Sequence, residues 1–303
     1  MKRNSGMKVL WWVMWGVIGV LVFLDAVPVS ANPPLAEAVA LRARHASLQG
    51  QLADNAFRRP LVLDSRQTPG ALKGDVHAVV DHSFAAVEAA VGGSATWCEI
   101  MILHINVKQC SVSSDAQGDV IAAAIGRKNG TSANGAHRVA FRYRVAAQSA
   151  DYVRIELTAD SGPMGTSDYR IVLEALPLDS NRTFVHLSYA YAYGPAAAMA
   201  MRAYFNTSGA EKVGFTVLQR NAEGQPVYVG DVRGALERNT MRYFLAIDAF
   251  LNAASAPSEP RFERRLQLWF AATERYSQQL HEIEQTEYLA QKRGEVRRLV
   301  AER

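Results

Sequence analysis

Cysteine is scarce: Cys98 and Cys110, twelve residues apart, are the only two in 303 residues. Without a Cys-x-x-Cys spacing, the usual sequence signal for redox exchange is missing. Gly-x-Gly-x-x-Gly, Gly-x-Ser-x-Gly and the phosphate-binding loop are all absent, which removes the motif-level case for nucleotide binding or a serine hydrolase. His281-Glu282-Ile283-Glu284-Gln285 lacks the second histidine of a zinc-protease helix. Asp81, His82 and Ser83 are consecutive, so adjacent side chains point to opposite faces and cannot converge as a triad. No motif requires a metal or a cofactor. Charge bias is also small, at 33 Lys+Arg against 29 Asp+Glu, and this leaves no electrostatic footprint for nucleic acid.

What is present begins with an export leader. Lys2, Arg3 and Lys8 precede an apolar run over 9–24, Asp25 closes it, and Val29-Ser30-Ala31 supplies the small residues of a cleavage site. The expected mature protein starts after Ala31 and is periplasmic or secreted, with an uncleaved anchor as the alternative. In an oxidising compartment, an even cysteine count at short separation points to one Cys98–Cys110 disulfide, with two buried thiols as the alternative.

Along residues 32–74, apolar residues at Ala36, Ala40, Leu41, Leu48 and Leu52 fall near helical spacing, predicting one amphipathic helix on the outside of the domain and then a loop to a Pro69-Gly70 turn. Val76, Ala78 and Val80 alternate as in a strand. Ser83 caps a short helix that Gly92-Gly93 ends, and Ser94 starts a second through Trp97 and Met101. Strands are predicted at 105–113, 119–127, 138–147, 152–160, 168–176 and 183–193, parted by turns such as Lys128-Asn129-Gly130 and Ser161-Gly162-Pro163. No crossover helices separate these strands, so they form an antiparallel meander.

Val139, Phe141, Tyr143 and Val145 share one face, while Arg142, Arg144, Arg154, Glu156, Arg170 and Glu174 mark a solvated polar face. After Gly194 come an Ala-rich helix over 196–205, a hairpin over 213–229, and a long helix over 231–251. The tail, 252–303, reads as solvent-facing helices packed by one apolar stripe through Phe262, Leu266, Trp269, Tyr276, Leu280 and Ile283. Its basic group, Lys292, Arg293, Arg297 and Arg298, is a candidate for peripheral contact with anionic lipid.

Two clusters are candidate binding groups. Tyr189, Tyr191 and Tyr193 share a face of the last core strand, as ring surface for a ligand or as packing beneath a helix. Arg238 and Arg242 lie one turn apart near Tyr243, placed to hold a carboxylate or phosphate head group or to pair with neighbouring acids such as Glu237. His77, His104 and His186 read as separate packed histidines rather than metal ligands.

This order of elements resembles the helix-grip fold of START-like lipid-transfer domains, birch-pollen-allergen-like proteins and polyketide cyclases. The resemblance spans residues 75–251, with 196–230 as an insertion. The runs Trp97-Cys98-Glu99-Ile100 and Glu237-Arg238-Asn239 through Met241-Arg242-Tyr243 are also similar to exported, uncharacterised bacterial proteins. It implies an α+β fold with a curved sheet of about seven strands wrapped on a long helix, and extra helices at both ends. Between them lies a cavity for a lipid-like or other hydrophobic small molecule, with Trp97, the three tyrosines, Arg238, Arg242 and Tyr243 as ligand-binding candidates and no cofactor. The alternatives are a cyclase or hydrolase drawing on His77, Tyr189, Tyr191 or Arg238, and an envelope interaction protein using the C-terminal helices.

Overall fold

The structure is a computed structural model describing residues 33–126, 135–207, 209–254 and 257–301. The expected export leader and the expected Lys128-Asn129-Gly130 turn lie outside the described residues. Helix α1 (Pro33–Ala53) is followed by strands β1 (Leu61–Thr68) and β2 (Ala71–Val80), then by the short helices α2 (Phe84–Val91) and α3 (Ser94–Met101). Strands β3 (Val107–Asp115), β4 (Gly118–Ile125), β5 (His137–Ser149), β6 (Tyr152–Ser161), β7 (Thr166–Pro177) and β8 (Thr183–Tyr193) complete one antiparallel sheet of order β1-β2-β8-β7-β6-β5-β4-β3. Helix α4 (Pro195–Phe205) leads to the hairpin β9 (Val217–Arg220) and β10 (Pro226–Tyr228), then to the long helix α5 (Asp231–Asn252). Helices α6 (Ser258–Glu274), α7 (Ser277–Leu280) and α8 (Gln285–Ala301) close the chain.

The sheet has eight strands because the expected loop after α1 contains β1. Its register with β2, Leu61 opposite Ala78 through Thr68 opposite Ala71, makes Pro69-Gly70 a tight hairpin turn, with Gly70 at φ 82°. Proline followed by a positive-φ glycine is the sequence preference of a type II turn. Polar Asp64, Ser65, Arg66 and Gln67 erase the alternation that marks a strand, since β1 is an edge.

Period-2 alternation divides the sheet into two apolar faces. Val76, Ile155, Leu173 and Leu187 belong to the inner core with Leu236, Phe244 and Leu245 of α5. Tyr152, Leu176 and Phe184 point the other way and pack against Ala38, Leu41, Leu48 and Leu52 of α1. Helix α5 crosses β2 at Gly74, where an added Cβ would meet Thr240 Oγ1 at 2.4 Å. A sheet that curls round one buried helix is the helix-grip fold.

The disulfide Cys98–Cys110 forms, fastening α3 to β3. Ser83 caps α2 by accepting a hydrogen bond from Ala86 N–H. In β5 a bulge between Val145 and Ala147 ends the inward alternation, so Val145 is 39% exposed and Ala147 joins the outer core.

The polar face and the tail are less solvated than the sequence pattern suggested. Glu156 is buried among Arg144, Arg154 and Arg170, and Glu174 accepts from Tyr152 Oη at 2.6 Å. Leu266, Trp269, Leu280, Ile283 and Tyr288 are part of the inner core, not a separate stripe. Of the basic group, Lys292 is fully buried, donating to His104 O, Val107 O and Glu295, and Arg293 pairs with Glu263 at 2.5 Å. That correction removes Lys292 from any lipid-facing patch. Among the described residues, no helix is long and apolar enough to cross a membrane.

Candidate inner cavity

A cavity of about 280 Å³ lies between the inner sheet face and α5. The sheet supplies Tyr189 and Tyr191 from β8, Tyr169 from β7 and Phe141 from β5, because their spacing turns them to the gripped side. Tyr169 stacks on Tyr191 with centroids 5.2 Å apart, Tyr189 lies 5.5 Å from Tyr243 of α5, and Phe141 meets Tyr169 edge-on. Burial raises all four tyrosines above the usual phenol range, so each keeps its proton and offers an O–H donor at neutral pH. Tyr169 Oη already shares a 2.7 Å hydrogen bond with Thr166 Oγ1.

The wall continues through His104, whose Nδ1 accepts from Asn106 N–H and whose ring lies 4.8 Å from that of Tyr243. Accepting at Nδ1 puts the proton of the neutral ring on Nε2. The mouth opens between the Pro163–Gly165 turn and α4, where Met164 is 56% and Tyr204 39% exposed. At Gly162 an added Cβ would come within 2.2 Å of the Tyr169 ring, so glycine lets that ring lie against the turn.

Helix α5 carries the polar end of the cavity. Arg238 and Arg242 both line it, 4% and 2% exposed. Arg242 Nη2 donates to Glu282 Oε1 at 2.7 Å and to Leu280 O at 3.2 Å, while Arg238 Nη1 donates to Val213 O at 3.0 Å. Burial, and then the neighbouring Arg242 charge, pull Arg238 down to about 10, which still leaves it a cation at neutral pH. Glu237 is not the arginines' partner. It points away from the cavity and accepts from Ser65 Oγ, Phe215 N–H, Thr216 N–H and Thr216 Oγ1, tying the segment before β9 to α5 and β1.

The structure therefore brings together Tyr189, Tyr191, Arg238, Arg242 and Tyr243. It places Trp97 elsewhere: the indole is buried in the α2–α3 packing, donating from Nε1 to Val91 O at 2.8 Å. Tyr193 shares the face of Tyr189 but lies beyond the cavity wall, with its hydroxyl accepting from Gln67 at 3.3 Å. His77 cannot act with Tyr189, because it faces the outer side of β2 and stacks on His186, centroids 4.3 Å apart. His186 in turn bridges Asp75 and Glu174 at 2.8 Å each, in a polar cleft of about 370 Å³ under α1.

Tyr169 and His104 are wall residues that the sequence pattern alone does not single out. Tyr169 was findable, since it continues the inward alternation of Ile171 and Leu173. His104 sits in the turn after α3, where no periodicity applies.

No protein-family model matches the chain, and no curated protein matches it. Solved structures similar to it include norcoclaurine synthase from Thalictrum flavum, 9% identical over 47% of this chain and 84% of that one, with a TM-score of 0.33. Human StAR-related lipid transfer protein 5 is 13% identical over 57% of this chain and 91% of that one, at 0.31. A conserved protein from Geobacillus kaustophilus is 11% identical over 59% and 95%, at 0.34. These likenesses are distant, and the helix grip is read from the strand order and the gripped helix themselves.

Proposed function

We propose that this protein binds a compact, ring-bearing hydrophobic small molecule, without covalent chemistry, in the inner cavity. The carrying observation is the cavity wall, which sets Phe141 and five tyrosines around one space with no carboxylate among its described lining residues. Aromatic walls with a few fixed polar groups are the usual make-up of a small-molecule site, and such sites span about 300–1,000 Å³. A volume of about 280 Å³ sits at the lower edge of that range and favours one or two rings over a sterol or a long acyl chain. The disulfide and the leader-like pattern of residues 1–31 support a role outside the cytoplasm.

The test is solvent extraction of the purified protein with mass spectrometry of the extract, together with calorimetric titration of one- and two-ring compounds. Binding of ring compounds, weakened at least tenfold by Met201→Trp narrowing the mouth, is the expected result. A protein that extracts empty and binds none of them overturns the reading.

A further inference from the structure

The geometry points to an anionic ligand: the molecule held in the inner cavity is a small aromatic monocarboxylate, its charged group seated on Arg238. This rests on the cavity being a binding site at all.

Two guanidinium groups line the cavity and no carboxylate does, among the described residues. Arg242 has its counter-ion in Glu282, brought in from the segment between α7 and α8. Glu282 is further engaged by Lys212 at 2.8 Å, so its charge is already shared. Glu237 is saturated by the four donors that hold the segment before β9. Arg238 is left with one neutral acceptor, the carbonyl of Val213, and no carboxylate within ion-pair distance among the described residues.

Arg238 feels the charges of Glu282 and Glu237 only at a distance, without a direct ion pair, while burial and Arg242 oppose its charge; a guanidinium keeps its proton at neutral pH all the same. Its planar fork has five N–H donors, of which the Val213 contact uses Nη1, and the fork matches a carboxylate in two parallel hydrogen bonds. A guanidinium with no carboxylate in direct contact has room for one, hence a monoanion. Tyr189, Tyr191 and Tyr243 supply ring surface beside it and protonated hydroxyls that donate to the same oxygens. A ligand that carries both features is an aromatic acid.

The experiment uses the full mature protein and matched probes: benzoate, phenylacetate, 2-naphthoate and indole-3-acetate, each beside its neutral primary amide, titrated by calorimetry. The expected result is at least a tenfold preference for one or more acids over their amides. Arg238→Met should abolish that preference while amide binding persists, and should leave the empty protein as stable as wild type or more so, because an unpaired buried charge has been removed. If Arg238→Met fails to fold, Arg238→Lys, which keeps the charge and loses the fork, should reduce the preference several-fold. Amides that bind as tightly as the acids overturn the anion inference and leave the cavity reading standing. If neither series binds, both fall.

Discussion

At the scale of single residues, the outer face shows how burial turns ordinary side chains into pH-sensitive ones. His186 is hydrogen-bonded between Asp75 and Glu174, and against the opposing effect of burial these two carboxylates raise its pKa above the usual value. His77 lies flat against it, and burial, then the charge of His186, push His77 down to about 3. An unfolded histidine takes up its proton near pH 6.5, so between about 6.5 and 3 the unfolded chain binds a proton that folded His77 refuses. Stability from this position therefore falls as pH drops through that window. His186 has the opposite sign: its contribution is complete below pH 6.5 and is lost as pH rises through its raised folded value. Replacing His77→Phe keeps the stack and removes the titration, so urea midpoints measured from pH 7 to 3.5 should fall less steeply than in wild type. Parallel curves for the two proteins would show that His77 does not carry the acid sensitivity.

At the scale of elements, the grip depends on how closely α5 can approach β2. Gly74 is the contact point, with Thr240 Oγ1 2.4 Å and Leu236 Cγ 3.3 Å from where a Cβ would sit. Gly74→Ala should therefore cost about 1–3 kcal/mol by forcing the helix outward. Thr240→Ala, which deletes the nearer atom, should recover part of that loss in a double-mutant cycle read by denaturant unfolding. Strictly additive effects would mean that the helix does not rest there. The sequence made α5 legible through Leu236, Met241, Phe244, Ile247 and Leu251 at helical spacing, and likewise α2, α3, the six later strands and the hairpin. It hid β1, because Asp64 to Gln67 break alternation on an edge strand, and because Ser65 faces inward to meet Glu237 rather than an apolar neighbour. The pattern of residues 196–205 and 231–251 shows two helices but not which of them closes the cavity. Both do: α5 forms the floor with Arg238, Arg242 and Tyr243, and α4 brings Met201, Tyr204 and Phe205 to the mouth.

At the scale of the whole molecule, the C-terminal helices are part of the core and not an appendage. Lys108 and Lys292 converge on Glu295, all three buried, and Tyr288 donates to Leu103 O at 2.8 Å. Burial lowers Lys292 to about 8, against the opposing pull of Glu295, so it remains mostly charged at neutral pH and needs that partner. Glu295→Leu should remove the carboxylate that two buried ammonium groups share and cost about 3–5 kcal/mol. Combining it with Lys108→Met and Lys292→Met should restore much of the loss, as judged by thermal unfolding. If Glu295→Leu alone is neutral, α8 is not docked through this cluster. The sequence by itself determined the helices, the strands of the meander and the inward tyrosine row, because side-chain periods of 2 and 3.6 are local and survive without knowledge of neighbours. Only the tertiary structure decided which charges are buried and with whom. Ser65 finds Glu237 across 172 positions, Arg242 finds Glu282 across 40, and Lys292 finds the His104 carbonyl across 188. No periodicity encodes such pairings, since each depends on two distant segments being brought together by the folded core, and Arg238 is exceptional only once its neighbours have been assigned.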